Sequence, residues 1–160
     1  MSCWKRCTAW LTLAGVFSLE APGCVAEHAP QVPRDSIVVG TLLPFTGNAA
    51  NGYNLERAVL WAAERVNSVG GIAGHPIHVV SQDTHSSLDK GLAGARRLLD
   101  ESNVTALLGP EEEDLATAVL PLIRERQVIN VSGSVTSPTI GSDDDGYWFR
   151  MVPSATTLVS

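Results

Sequence analysis

Two apolar patterns alternate along this chain, and the alternation restricts its fold more than any single motif does. Short runs rich in β-branched and aliphatic residues occur at Ile37–Leu43, Ile77–Ser81, Val104–Leu108, Val128–Ser132 and Tyr147–Val152. Continuous apolar runs of this length, closed by turn residues, read as strands covered on both faces. Between them apolar residues return at helical spacing. The first set is Leu55, Ala58, Val59, Ala62, Ala63 and Val66; the second is Leu88, Leu92, Ala95 and Leu99; the third is Leu115, Ala118, Val119, Leu122 and Ile123. Each is an amphipathic helix with one face for the sheet. A helix between consecutive strands carries the chain back to the end where the last strand began. The strands therefore pair in parallel through right-handed crossovers, and the expected class is α/β with helices on both faces of a parallel sheet.

Local signals place the ends. Asn67-Ser68-Val69-Gly70-Gly71-Ile72-Ala73-Gly74 stops the first helix, because glycine accepts the left-handed conformation common past a helix C-terminus. Ser86 or Ser87 suits the start of the second helix, with Asp89 completing a capping-box spacing from Ser86. Pro121 falls inside the third helix and removes one hydrogen bond, which predicts a kink or a short first segment.

Composition narrows the function classes. Apolar residues make up 44% and charged residues 18% of the 160, values of a chain that folds. The net charge is −6 and the basic residues are scattered. A nucleic-acid surface needs a concentrated basic footprint, so no nucleic-acid partner is expected. His28, His75, His78 and His85 lack metal-ligand spacing, and no glycine-rich phosphate loop or nucleophile elbow is present. The sequence thus predicts no enzyme, no metal and no cofactor. One other reading keeps Asp83 and the acids after Gly109-Pro110 as a metal-dependent enzyme site.

The amino terminus reads as an address. Lys5 and Arg6 precede an apolar stretch, Thr8 to Leu19, that is too short to span a bilayer, as in an export signal. Ala21-Pro22-Gly23-Cys24 resembles a bacterial lipoprotein processing box with Cys24 as the lipidated residue, and ordinary cleavage after Ala26 is the alternative. The expected organisation is a signal peptide over 1–24, a linker over 25–35 and one domain over 36–160. Cys3 and Cys7 would leave with the leader, so no disulfide is expected in the mature chain.

The third apolar run stops at Gly109-Pro110 and empties into Glu111-Glu112-Glu113-Asp114. Acids in the first turn of a helix are favoured by its dipole by about 0.3–1 kcal/mol each. They would also stand at the carboxyl ends of the strands, where open α/β sheets bind ligands.

Gly40-Thr41-Leu42-Leu43-Pro44-Phe45-Thr46-Gly47, Asn67 to Gly74, Leu108-Gly109-Pro110, Ser134-Val135-Thr136-Ser137-Pro138 and Phe149-Arg150 occur in that order. Together they resemble the amino-terminal half of the branched-chain amino acid binding proteins, the type I periplasmic solute-binding components of ABC importers. The resemblance runs from about Ile37 to the end. It implies a Rossmann-like, flavodoxin-like lobe, the first of two that close on a ligand about a hinge. Family members are roughly double this length, so the chain is expected to be an incomplete lobe one. A truncated product, a partial gene or a fragment would look the same.

The resemblance also implies site residues. Ser134 falls where the family uses a backbone carbonyl, and Thr136 where it uses a hydroxyl. Thr46 lies in the loop after the first strand, and Tyr53 takes the place of an aromatic wall. Glu113 stands where the amino acid binders tend to place Ser, and a carboxylate there would repel a ligand carboxylate. The expected solute is therefore an amide, polyol or cationic compound rather than a simple zwitterion. Expected partners are a small-molecule solute such as an amino acid, the permease of an ABC importer and a lipid anchor, in the periplasm or on its membrane. The same fold could serve instead as the ligand-sensing ectodomain of a signalling receptor.

Overall fold

The computed structural model of the chain describes residues 35–140 and 146–158. The expected leader, the Cys24 lipidation site and nearly all of the linker lie outside them.

The elements follow the alternation in the sequence. They are β1 (Ile37–Leu43), α1 (Gly52–Ser68), β2 (Ile77–Asp83), α2 (Leu88–Arg96), β3 (Ala106–Leu108), α3 (Glu113–Arg126), β4 (Ile129–Ser132), β5 (Trp148–Arg150) and the short α4 (Ala155–Leu158). One π-helical turn, Arg97–Glu101, prolongs α2. All neighbouring strands are parallel, in the order β2-β1-β3-β4-β5. The switch in direction from β1 leftward to β2 and rightward to β3 puts α1 on one face of the sheet and α2 and α3 on the other.

Side-chain alternation along paired strands shows which face each helix covers. Thr41 and Ser81 are paired across β1 and β2, and Ser81 Oγ donates to Glu56 of α1. The next row, Leu42 and Gln82, meets Gly94 of α2. Carried along the register, Gly40, Leu107, Asn130 and Trp148 share the α2 and α3 side, whereas Thr41, Leu108, Val131 and Phe149 share the α1 side. The core lies between the sheet and the α2–α3 pair. Leu98, Leu107, Ala116, Val119 and Ile123 are fully buried there.

Two helices seat differently from their apolar stripes. Leu88 was expected in the buried face of α2 but is 46% exposed, while Leu98 is 0% exposed. The inward stripe is Gly91, Gly94, Ala95 and Leu98. A Cβ on Gly91 would stand 2.4 Å from a methyl of Leu115, so the bare backbone lets α2 press against α3. In α1 only Gly52 and Ala63 are buried; Leu55, Val59 and Val66 are half-buried, and Ala58 and Ala62 are exposed. A single helix over β1 and β2 cannot enclose the whole stripe. The short first segment expected from Pro121 does not form, since α3 runs from Glu113 to Arg126 through it. Pro121 lies on the exposed side, where the carbonyl it leaves unbonded can be hydrated.

Candidate functional site

The four loops that leave the carboxyl ends of β1 to β4 form one rim and are tied to one another. The first tie is Asp83, the last residue of β2. Its Oδ1 accepts the backbone N–H of Phe45 at 3.0 Å, of Thr46 at 3.3 Å and of His85 at 2.7 Å. Its Oδ2 accepts the Thr46 hydroxyl at 2.7 Å and lies 3.2 Å from His85 Nδ1. Burial pushes the Asp83 carboxyl up, but the bonds from the Thr46 hydroxyl and three backbone N–H groups outweigh it and hold the group below its ordinary 3.8. His85 and Ser86 both adopt left-handed backbone, φ 54° and 50°. This turn aims the Ser86 hydroxyl at the first loop, where it donates to Thr46 O and accepts from Ala49 N–H. The capping box expected from Ser86 therefore does not form, and Ser87 at the N-cap makes no side-chain cap bond either.

A second tie runs from the β2 loop to the β3 loop. The Thr84 hydroxyl, fully buried, donates to Glu112 Oε1 at 2.9 Å. A cavity of ≈ 160 Å³ opens beside it, lined by Ser86, Ser87, Leu88, Glu112, Asp114 and Leu115. Gly109 shapes the start of this loop. It has φ 94°, and a Cβ there would stand 2.4 Å from Leu42 O, so only glycine lets the β3 loop cross so close to β1.

The third tie joins the β3 and β4 loops and contains three of the expected site residues. Ser134 Oγ donates to Glu111 O at 3.1 Å. Thr136 places its backbone N–H 3.2 Å and its hydroxyl 3.1 Å from one oxygen, Oε1, of Glu113. The β4 loop is held from below by Arg150, whose guanidinium donates to Ser137 O at 2.8 Å and Ile140 O at 2.7 Å.

Of the residues expected at the site, Glu113, Ser134 and Thr136 are brought together on the β3 and β4 loops. Thr46 is committed to Asp83, His85 and Ser86 instead. Tyr53, at the start of α1, is 63% exposed and stands edge-on to Phe45, with ring centroids 5.2 Å apart. The structural role of Asp83 and the Thr84–Glu112 bond were missed, because both depend on residues that are distant in sequence. A carboxylate at the last position of a strand was the one available signal. For the metal-enzyme reading, Asp83 spends its oxygens on protein donors, and among the described residues no group of three or more His, Cys, Asp or Glu could hold a metal ion.

The family model described as "Periplasmic binding protein" matches residues 36–160. This chain belongs to the periplasmic binding protein family. The chain is similar to an amino acid binding protein of Pseudomonas aeruginosa, 29% identical over 116 residues, covering 72% of this chain and 31% of that protein. It is also similar to BasB of Halobacterium salinarum, a chemotactic signal transduction system substrate-binding protein, 32% identical over 127 residues and covering 74% and 30%. Among solved structures it resembles the branched-chain amino acid transporter substrate-binding protein LivJ of Streptococcus pneumoniae, crystallised with isoleucine. The TM-score is 0.70 at 25% identity, covering 74% of this chain and 34% of that one. The matched part of the chain spans about a third of the length of each of these three proteins. These relatives are named as binding proteins rather than enzymes, and the five-stranded parallel sheet matches their lobe. No helix among the described residues is long and apolar enough to cross a membrane.

Proposed function

We propose that this protein is an extracytoplasmic solute-binding component of an ABC importer, taking an amino acid or a similar small polar solute at the rim of the sheet. The observation that carries the reading is the meeting of Ser134, Thr136 and Glu113 on adjacent loops, within a family of binding proteins. Ser134 would offer its backbone carbonyl to an ammonium group, and Thr136 would offer its N–H and hydroxyl, here bonded to Glu113, to an acceptor that displaces that carboxylate. Tyr53 is exposed enough to lie against the apolar part of a solute. Thr46, held by Asp83, ties the first loop to the β2 loop on the same rim. In this reading the leader ahead of Cys24 exports the chain, Cys24 anchors it to the membrane, and a permease receives the solute.

One lobe supplies only part of a cleft, so the expected affinity of this chain alone is about millimolar, near 4 kcal/mol. A titration with amino acids, amides, polyols and amines, followed by backbone amide NMR, should move the signals of Ser134 and Thr136. If no solute in that panel moves them at tens of millimolar, the reading fails. Micromolar binding of leucine by calorimetry would overturn the view that the site is shared with another lobe. The similarity to BasB favours a second reading, in which the same site serves a sensory system. Capture of a signalling receptor rather than a permease by the full-length gene product would select it.

A further inference from the structure

Glu113 is the first residue of α3, and a glutamate there ordinarily turns toward its own helix's free N–H groups. Its carboxylate instead crosses to the β4 loop, where Thr136 N–H and Thr136 Oγ1 both point at Oε1. Two donors converging on one oxygen are the arrangement with which a protein recognises a carboxylate from outside. Glu113 is exposed, and no salt bridge given among the described residues includes it, so the two bonds from Thr136 are what turn its carboxylate toward the β4 loop. We propose that Glu113 is an internal carboxylate that occupies the Thr136 donors in place of a solute's own, so that the site selects solutes whose polar end is cationic.

This inference rests on the reading of the rim as a solute site and determines the class of solute. A ligand carboxylate must displace Glu113 and then sit beside it, whereas an ammonium group meets Oε2 directly. The Glu111 carboxylate, on the Gly133 side of the β4 loop, reinforces the bias. The arrangement differs from a purely structural strap, because a strap needs only an acceptor and selection needs the charge. Glu113→Gln keeps an acceptor for Thr136 and removes the charge, while Glu113→Ala removes both.

The test uses acetate and ethylammonium as probes, read at the Thr136 amide by NMR in the wild type and the two variants. Thermal melts of all three establish that each is folded. In Glu113→Ala, acetate should perturb Thr136 with an affinity at least about tenfold above the wild type. Ethylammonium should bind the wild type about tenfold better than Glu113→Gln. Acetate acting equally on wild type and Glu113→Ala, or on neither, would overturn the proposal, and so would ethylammonium binding that ignores the Gln substitution. The reading of the rim as a solute site fails separately, if acetate enters Glu113→Ala as expected while no member of the wider solute panel moves Ser134 or Thr136 in any variant.

Discussion

The two faces of the sheet are built from the same strands yet are finished to different degrees. Toward α2 and α3 the side chains are sealed, with Leu42, Leu98, Leu107, Leu115 and Ile123 almost wholly out of water. Toward α1 only β1 and β2 are roofed; farther along, Ile129 of β4 is 44% exposed and Phe149 of β5 is 49% exposed. Trp61 and Leu60 of α1 are also open, at 65% and 46%. Pairing registers place Phe149 in the same row as the half-buried Val131 and Leu108, so the open strip runs across β5, β4 and β3 and ends at Thr41, which is fully buried under α1. The lesson is that hydrogen-bonded pairing of strands and burial of their side chains are separate requirements. Here the first is met across all five strands and the second on one side only.

That contrast can be broken most decisively in the sealed half. Leu107→Ala should cost about 3–5 kcal/mol, since it removes a fully buried side chain and leaves a cavity behind. Denaturant unfolding measures it; a loss below about 1 kcal/mol would mean that the core can collapse around the gap.

Next in size comes the rim. Asp83→Ala strands three backbone N–H groups and a hydroxyl, and should cost about 1–3 kcal/mol. The sign with pH follows from the lowered carboxyl of Asp83. A group depressed in the folded state stabilises above its unfolded value, 3.8, and that contribution disappears as pH falls through the lower folded value. The gap in stability between wild type and Asp83→Ala should thus be constant near neutrality and shrink below 3.8. A gap that widens in acid would show that Asp83 has been misread.

The smallest effect is expected on the open strip. Ile129→Ser and Phe149→Ser should each change stability by less than about 1 kcal/mol, because water already reaches both side chains. The double variant should also bind less of a hydrophobic dye than the wild type. Losses comparable to that of Leu107→Ala would erase the distinction between the faces.

Much of this architecture was readable from residue order. The run Ile37 to Leu43 forms β1 with the boundaries expected, and the parallel sheet follows from helices placed between strands. What a periodic stripe cannot convey is how much surface lies beneath it. Ala58 and Ala62 have the right spacing for burial but lie where little covers them. In α2 the glycines, which carry no hydrophobic signal, set the contact face in preference to Leu88. For the site, Glu113 and Thr136 were noticed separately through the resemblance. Their bond across 23 positions was not legible, because nothing local in either segment encodes the other.

The bonds along the rim form a chain of their own: Thr46 to Asp83, Thr84 to Glu112, Glu111 to Ser134, and Glu113 to Thr136. Each joins a loop to the next, so four loops that could fluctuate independently form one stiff border. The disorder such loops would otherwise surrender on meeting a solute has been given up earlier, when the lobe folds. In the proposed solute-binding role, this border would already be set when it meets a solute.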